Sequence, residues 1–275
     1  MLNLDYLTVD PEKTDYPAKS VSLKVKNGDV ELLGRCHIPS LKSSDEKCPA
    51  VLILHGFPGN EKFYDLSQAL RRVGFVAINA GFRGCWGCSG TYSLDTLPSD
   101  ALANYYYIKE HAEELHVDPQ RIYIIGHSMG GFTTMRLLAD GIDVKGAILL
   151  APCNIAQTNE DRKKVLFADG APFLSLGEKG VEGLFSDCEA HKEEWKFQNL
   201  AKNVKKTVPL LFIGASRDTS CPVENHMNMA VEALEERGAD ISSSMYDSDH
   251  SFQTVRIALF KEIASWLINK ENKGF

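Results

Sequence analysis

The sequence predicts an α/β fold with a mostly parallel, twisted sheet and helices on both faces, and three observations carry that expectation. From Ala50 onward, short continuous apolar runs alternate with stretches of helical spacing, the pattern left by strands buried on both faces and joined by helical crossovers. Glycine-rich or polar loops follow those runs, as in His55-Gly56-Phe57-Pro58-Gly59 and Gly126-His127-Ser128-Met129-Gly130. At 275 residues, with 44% hydrophobic and 24% charged composition, the chain has enough apolar material for one large core.

Taken in order, residues 1–19 carry Pro11 and Pro17 among charges and are expected to be irregular. Val21 to Val25 and Val30 to Ile38 flank Asn27-Gly28, a dipeptide that tolerates positive φ at both positions and so favours a hairpin. Ala50 to Leu54 reads as the first central strand, followed by a helix with Phe63, Leu66, Leu70 and Val73 inward. Val76 to Ala80 is the next strand and runs into the loop from Gly81 to Gly90. Ser99 is a plausible N-cap for a helix burying Leu102, Tyr105, Ile108, Ala112 and Leu115. Asp118-Pro119 is expected to break the chain before the strand Arg121 to Ile125. Ala147 to Ala151, Pro209 to Gly214 and Ser242 to Tyr246 complete the strands. Met227, Ala230, Val231 and Leu234 mark one late helix, and Phe252, Val255, Leu259, Ile263 and Trp266 the last. The expected organisation is one domain over 1–275, with a helical cap insertion at 155–207, where charges mix with scattered bulky apolar residues.

Composition narrows the function. A net charge of −7 and the lack of a long Lys/Arg run argue against nucleic acid. The start has acidic residues where a secretory leader would be basic, and no run approaches a membrane span, so a cytoplasmic protein off the membrane is expected. Seven cysteines fit reduced thiols better than a disulfide framework. Cys85-Trp86-Gly87-Cys88 lacks a second ligand pair at comparable spacing, so neither metal nor cofactor is expected. Oligomeric state is not legible.

The most informative stretch is Arg121 to Met135, in which an apolar β-type run, then Gly-His-Ser-Met-Gly, then a helix-compatible run follow one another. A serine held at the tip of a strand-to-helix turn leaves no room for side chains two positions away, which explains Gly126 and Gly130. Such a serine needs a base and an acid. Of eight histidines, His250 alone lies directly after the last strand and before the last helix. Asp218 lies at the end of the preceding strand, with Asp187, Asp247 and Asp249 as fallback acids. In parallel sheets the loops after strands gather along one edge, where sites form.

These residues, with His55-Gly56-Phe57-Pro58-Gly59, make the chain resemble the α/β-hydrolase superfamily over nearly its whole length, in its order Ser128, Asp218, His250. Val117 to Ile122 and Phe82-Arg83-Gly84 with Ser89-Gly90 look like the branch of dienelactone-hydrolase-like esterases and prolyl-oligopeptidase-type peptidases, although Gly81 stands where an aspartate often precedes Phe-Arg-Gly. The resemblance implies an α/β-hydrolase fold and an oxyanion hole from the backbone N–H groups of Phe57 and Met129. The expected activity is cleavage of small soluble carboxylic esters, short-chain or aromatic in the acyl group, through an acyl-enzyme on Ser128. Trp86, Phe167, Phe173, Phe185 and Trp195 are candidates to line the acyl pocket. A serine peptidase or aminoacyl amidase is the near alternative, less expected because the stretch before the first parallel strand is too short for a propeller. A non-catalytic small-molecule-binding protein on the same fold is the alternative of another class.

Overall fold

The structure is a computed structural model that describes residues 2–272. Among the described residues, eight strands form one sheet in the order β1-β2-β4-β3-β5-β6-β7-β8. Strands β1 (Lys19–Asn27) and β2 (Val30–Ile38) are an antiparallel hairpin, and β2 also runs antiparallel to β4 (Val76–Asn79). The remaining pairs, among β3 (Cys48–Leu54), β4, β5 (Val117–His127), β6 (Gly146–Leu150), β7 (Leu210–Ala215) and β8 (Ile241–Tyr246), are all parallel. The mostly parallel α/β fold read from the sequence is therefore the fold found.

Alternation along the central strands builds both layers. Ala50, Leu52 and Leu54 join one apolar cluster with Tyr105, Ile108, Phe132 and Met135, whereas Val51 and Ile53 join the other with Leu66, Leu70, Leu259 and Ile263. Helices α2 (Leu97–Glu110), α3 (Met129–Ala139) and α7 (Met227–Glu235) therefore cover one face, and α1 (Tyr64–Val73) and α8 (Arg256–Asn272) the other. Gly74 ends α1 at φ 116°, where its N–H and that of Phe75 close the last turn onto Leu70 and Arg71 carbonyls. Between β6 and β7 come two 3-10 turns and the short helices α4 (Glu160–Gly170), α5 (Val181–Ala190) and α6 (Phe197–Ala201). Among the described residues, no helix is long and apolar enough to cross a membrane.

Local details correct the reading of the sequence. Asn27 is still paired with Val30, so the hairpin turns at Gly28-Asp29, and only Gly28 takes positive φ. Ser99 lies inside α2, whose N-cap is Thr96, because Pro98 is tolerated in the first helical turn where no N–H is needed. That helix ends at Glu110, before Ala112 and Leu115. Asp118-Pro119 does not stop β5 but sits in it, where the register against β3 shifts between Cys48 and Ala50. Phe252 precedes α8, in a left-handed conformation at φ 57° with its ring fully buried.

The closest backbone approach is at the start of α3. A Cβ on Gly130 would stand 2.0 Å from the Leu54 carbonyl oxygen, and one on Gly126 would stand 2.3 Å from the Gly130 carbonyl oxygen. Gly130→Ala should therefore cost at least about 1–3 kcal/mol of stability by overpacking, more because the obstacle is backbone. Urea unfolding followed by fluorescence checks this, and a wild-type midpoint would refute the close approach.

Candidate active site

The sharp turn from β5 into α3 leaves Ser128 between them at φ 54°, ψ −115°. A non-glycine residue held there stores about 1–3 kcal/mol of strain and persists only where its surroundings over-determine it. Three hydrogen bonds do so. The Ser128 N–H donates to Leu150 O at 3.0 Å, and its carbonyl accepts from Phe132 N at 3.1 Å and Cys153 N at 2.9 Å.

Two further loops at the same edge carry an acid and an imidazole. After β7, Asp218 is nearly buried, and its Oδ1 accepts from the Ser220 N–H at 2.7 Å and the Cys221 N–H at 2.8 Å. Its Oδ2 lies 2.6 Å from His250 Nδ1, in the loop after β8. Burial alone would raise the Asp218 pKa, but the hydrogen bond and charge of His250, with the two amides, outweigh it and the net shift is downward. An ionised carboxylate only accepts, so His250 Nδ1 carries the proton and Nε2 of the neutral ring is left as an acceptor. His127 secures this loop by donating Nε2–H to the His250 carbonyl at 2.9 Å, with its ring edge-on to Phe63.

The fallback acids are engaged elsewhere. Asp247 pairs with Arg217 at 2.8 Å, Asp249 accepts from the Gln253 N–H at 2.8 Å, and Asp187 accepts from Ser93 Oγ at 2.7 Å and the Leu94 N–H at 2.9 Å. His191 stacks on Trp195 and pairs with Glu194. Among the described residues, the amides of Phe57 and Met129 meet no backbone acceptor. For Met129 the reason is general, since the first N–H groups of a helix have no partner within it.

Beside Ser128 lies a narrow cavity with an apolar wall that includes Phe57, Leu94, Met129, Phe132, Ile155 and Phe167. Of the five aromatic residues named from the sequence, only Phe167 lines it. Phe185 packs edge-on behind Phe167, and Trp195 is fully buried against Phe132. Trp86 and Phe173 stack on each other at 5.7 Å on the surface, each about half exposed, because Trp86 turns out at φ 48° and donates its indole N–H to Pro58 O. Leu94, Phe132, Ile155 and Cys153 line the cavity without a sequence signal, being ordinary apolar residues on separate elements. Cys153, Cys221 and His226 carry no sequence signal either: their ligating atoms lie within 4.8 Å of one another, yet Cys153 follows β6 whereas Cys221 and His226 follow β7, and the three form no spacing motif.

A parallel sheet with a serine on a strained strand-to-helix turn, and an acid–imidazole pair on the next loops, is the framework of a hydrolase. The chain belongs to the alpha/beta hydrolase family, whose model matches residues 51–253. It is 25% identical over 249 residues to the acylamino-acid-releasing enzyme of Arabidopsis thaliana, an alignment covering 85% of this chain and 32% of that protein. The chain thus spans about a third of that curated relative. Among solved structures, the fold is similar to Pyrococcus horikoshii acylaminoacyl peptidase, with TM-score 0.68 and 20% identity over 92% of this chain and 42% of the other. The Pyrococcus furiosus esterase Pf2001 gives TM-score 0.67 and 19% identity over 92% and 91% of the two chains. Recognition of the superfamily from the motifs holds, with prolyl-oligopeptidase-type peptidases and esterases alike among the neighbours.

Two buried histidines at this edge set an acid limit. Burial lowers the pKa of His55 from 6.5 to about 4, and burial with the nearby His250 lowers that of His127 to about 3. Below pH 6.5 the unfolded chain binds protons that the folded chain refuses. Stability is therefore whole above about pH 6.5 and lost as pH falls toward those values, at up to about 1.4 kcal/mol per pH unit for each ring. The melting temperature should fall between pH 6.5 and 4, and His55→Gln should flatten that slope. An unchanged slope in the variant would contradict the burial of a neutral ring.

Proposed function

We propose that the protein is a serine hydrolase of small soluble carboxylic esters with short or aromatic acyl groups, working through an acyl-enzyme on Ser128. The observation that carries the reading is the 2.6 Å pair between Asp218 and His250, on the sheet edge where Ser128 is held in strain. In this mechanism His250 Nε2 takes the hydroxyl proton as Ser128 Oγ attacks the ester carbonyl. The oxyanion that develops accepts from the Phe57 and Met129 amides, the latter at a helix N-terminus. Collapse expels the alcohol, which takes the proton from the imidazolium. Water then repeats the sequence on the acyl-enzyme. Asp218 fixes the tautomer and stabilises the imidazolium. The chemistry calls for no metal or cofactor, and we place the protein in the cytoplasm.

The cavity supports the acyl preference. It is narrow, with little open space between Phe57, Leu94, Met129, Phe132 and Phe167, and so suits a small acyl group rather than a long one. A second reading, removal of an acylated amino acid from a peptide, is favoured by similarity over 85% of this chain to the acylamino-acid-releasing enzyme.

Labelling with a fluorophosphonate, then a panel of acetyl, butyryl, octanoyl and palmitoyl esters beside N-acyl-aminoacyl amides, decides between them. Ester kcat/KM should exceed that of the amides and peak at a short chain. Faster amides would establish the second reading, a rise continuing to palmitoyl would make the enzyme a lipase, and absence of labelling would leave a binding protein.

Ser128→Ala and His250→Ala should each lower turnover by several orders of magnitude. Asp218→Asn should cost about four orders, the value known for the equivalent change in a serine protease. Circular dichroism should show each variant folded. Near-normal turnover in Asp218→Asn would remove that residue from the mechanism.

A further inference from the structure

Cys153 and Cys221 stand apart from the other thiols. Their sulfurs and a ring nitrogen of His226 lie within 4.8 Å of one another, all three residues are buried, and Cys153 also lines the cavity that holds Ser128. Cys221 reaches the site from the other side. Its N–H holds Asp218 at 2.8 Å, and the Ser128 hydroxyl is among the groups that act on its thiol.

Two thiols and an imidazole suggest a soft metal, but the ring is oriented against one. The Asn154 N–H donates to His226 Nδ1 at 2.8 Å, so that nitrogen carries no proton and the neutral ring carries it on Nε2. A metal on Nε2 would force the proton onto Nδ1, facing a backbone donor. A metal on Nδ1 would displace the Asn154 bond.

The arrangement instead suits thiolate chemistry. Hydrogen bonds from Cys221 and His226 lower the Cys153 pKa against the effect of burial, while Cys221 keeps its proton as the donor. Elsewhere burial alone dominates, raising Cys36, Cys85 and Cys188 to about 12 and Cys48 to about 11. In the C-x-x-C segment, Cys85 donates to Pro58 O and Cys88 accepts from the Leu33 N–H.

We propose that Cys153 and Cys221 are an oxidation site for hydrogen peroxide or a small hydroperoxide, closing to a disulfide that shuts the Ser128 site; the loss of activity rests on the esterase reading above. The Cys153 thiolate attacks one peroxide oxygen, the O–O bond breaks, and Cys153 sulfenic acid and hydroxide form. Hydroxide takes the Cys221 proton and becomes water. The Cys221 thiolate then attacks the sulfenic sulfur, the S–S bond forms, the S–O bond breaks and hydroxide leaves. Two sulfurs are oxidised by two electrons in total, and one peroxide is reduced. A disulfide draws its sulfurs to about 2.05 Å, so closure pulls the Cys221 amide off Asp218 and withdraws the Cys221 thiol from Ser128.

The test is peroxide treatment of the full chain, followed by alkylation, non-reducing digestion and mass mapping, with p-nitrophenyl acetate turnover measured in parallel. A Cys153–Cys221 cross-link is expected, with loss of about tenfold or more in kcat/KM that a dithiol reverses. Cys153→Ser should keep its own untreated rate after peroxide, and Cys221→Ser should trap a dimedone adduct at Cys153. The proposal is overturned by a map without the cross-link, by a cross-link that leaves turnover unchanged, or by equal inactivation of Cys153→Ser. Stoichiometric zinc bound by the wild type and lost in Cys221→Ser would also overturn it, in favour of a metal site. If neither fluorophosphonate nor ester reacts, the esterase reading fails, and the cross-link map still decides the oxidation site.

Discussion

The carboxyl edge of the sheet depends on how closely the start of α3 approaches the end of β3. Gly130 faces the Leu54 carbonyl with no space for a side chain, and Gly131 is packed on Pro152 so tightly that a Cβ would stand 2.7 Å from its ring. Once the helix is seated against both loops, Ser128 has one backbone conformation left. Its carbonyl then takes the Cys153 N–H, which docks the loop after β6 onto the turn. His127 goes the other way and takes the His250 carbonyl. One close approach of backbones therefore positions loops from β3, β5, β6 and β8 together.

Strain at Ser128 is of the same order as the bonds that hold it. A conformational penalty of about 1–3 kcal/mol is met by three backbone hydrogen bonds, each worth about 1 kcal/mol net. A further penalty lies in His127, whose buried Nδ1 has no hydrogen-bond partner among the described residues. Its ring is fixed by Phe63 on one side and by the His250 carbonyl at Nε2, so turning it to satisfy Nδ1 would release the loop that carries His250. The molecule keeps an unsatisfied nitrogen in exchange for a fixed imidazole.

Strands and the serine turn were legible because their causes are local. A run such as Ala50 to Leu54 is apolar throughout because neighbours cover both faces, and Gly126 and Gly130 are glycine because of contacts within the turn and its flanking strand. Ser99 failed as a cap because cap signals are short and Pro98 let the helix start earlier. Phe252 has helical spacing to the residues of α8, but its positive φ is set by the loop that presents His250. The cavity wall was the least legible part. Phe132 and Leu94 differ in no local property from core residues, and Trp86 was drawn to the surface by a bond to Pro58 that no periodicity encodes. Cys153, Cys221 and His226 are brought together only by the order of β6 and β7 in the sheet.

The cavity wall owes its shape to packing rather than to closure of a loose segment. Asp187 on α5 anchors to Ser93 and the Leu94 amide, and Ser175 exchanges backbone bonds with Tyr92 and Gly84 at 2.9 and 2.7 Å. The Trp86–Phe173 stack covers the outside of the same junction. Phe132 and Phe167, which form the wall, have no exposed surface at all. On the proposed esterase reading, an acyl group that fits would gain about 0.8 kcal/mol for each methylene it buries. One methylene too many must instead displace rings that have nowhere to go, at about 1–3 kcal/mol. On that reading, the change of sign between those two terms, over a single carbon, would turn a rigid apolar wall into a length filter with a sharp edge rather than a gradual preference.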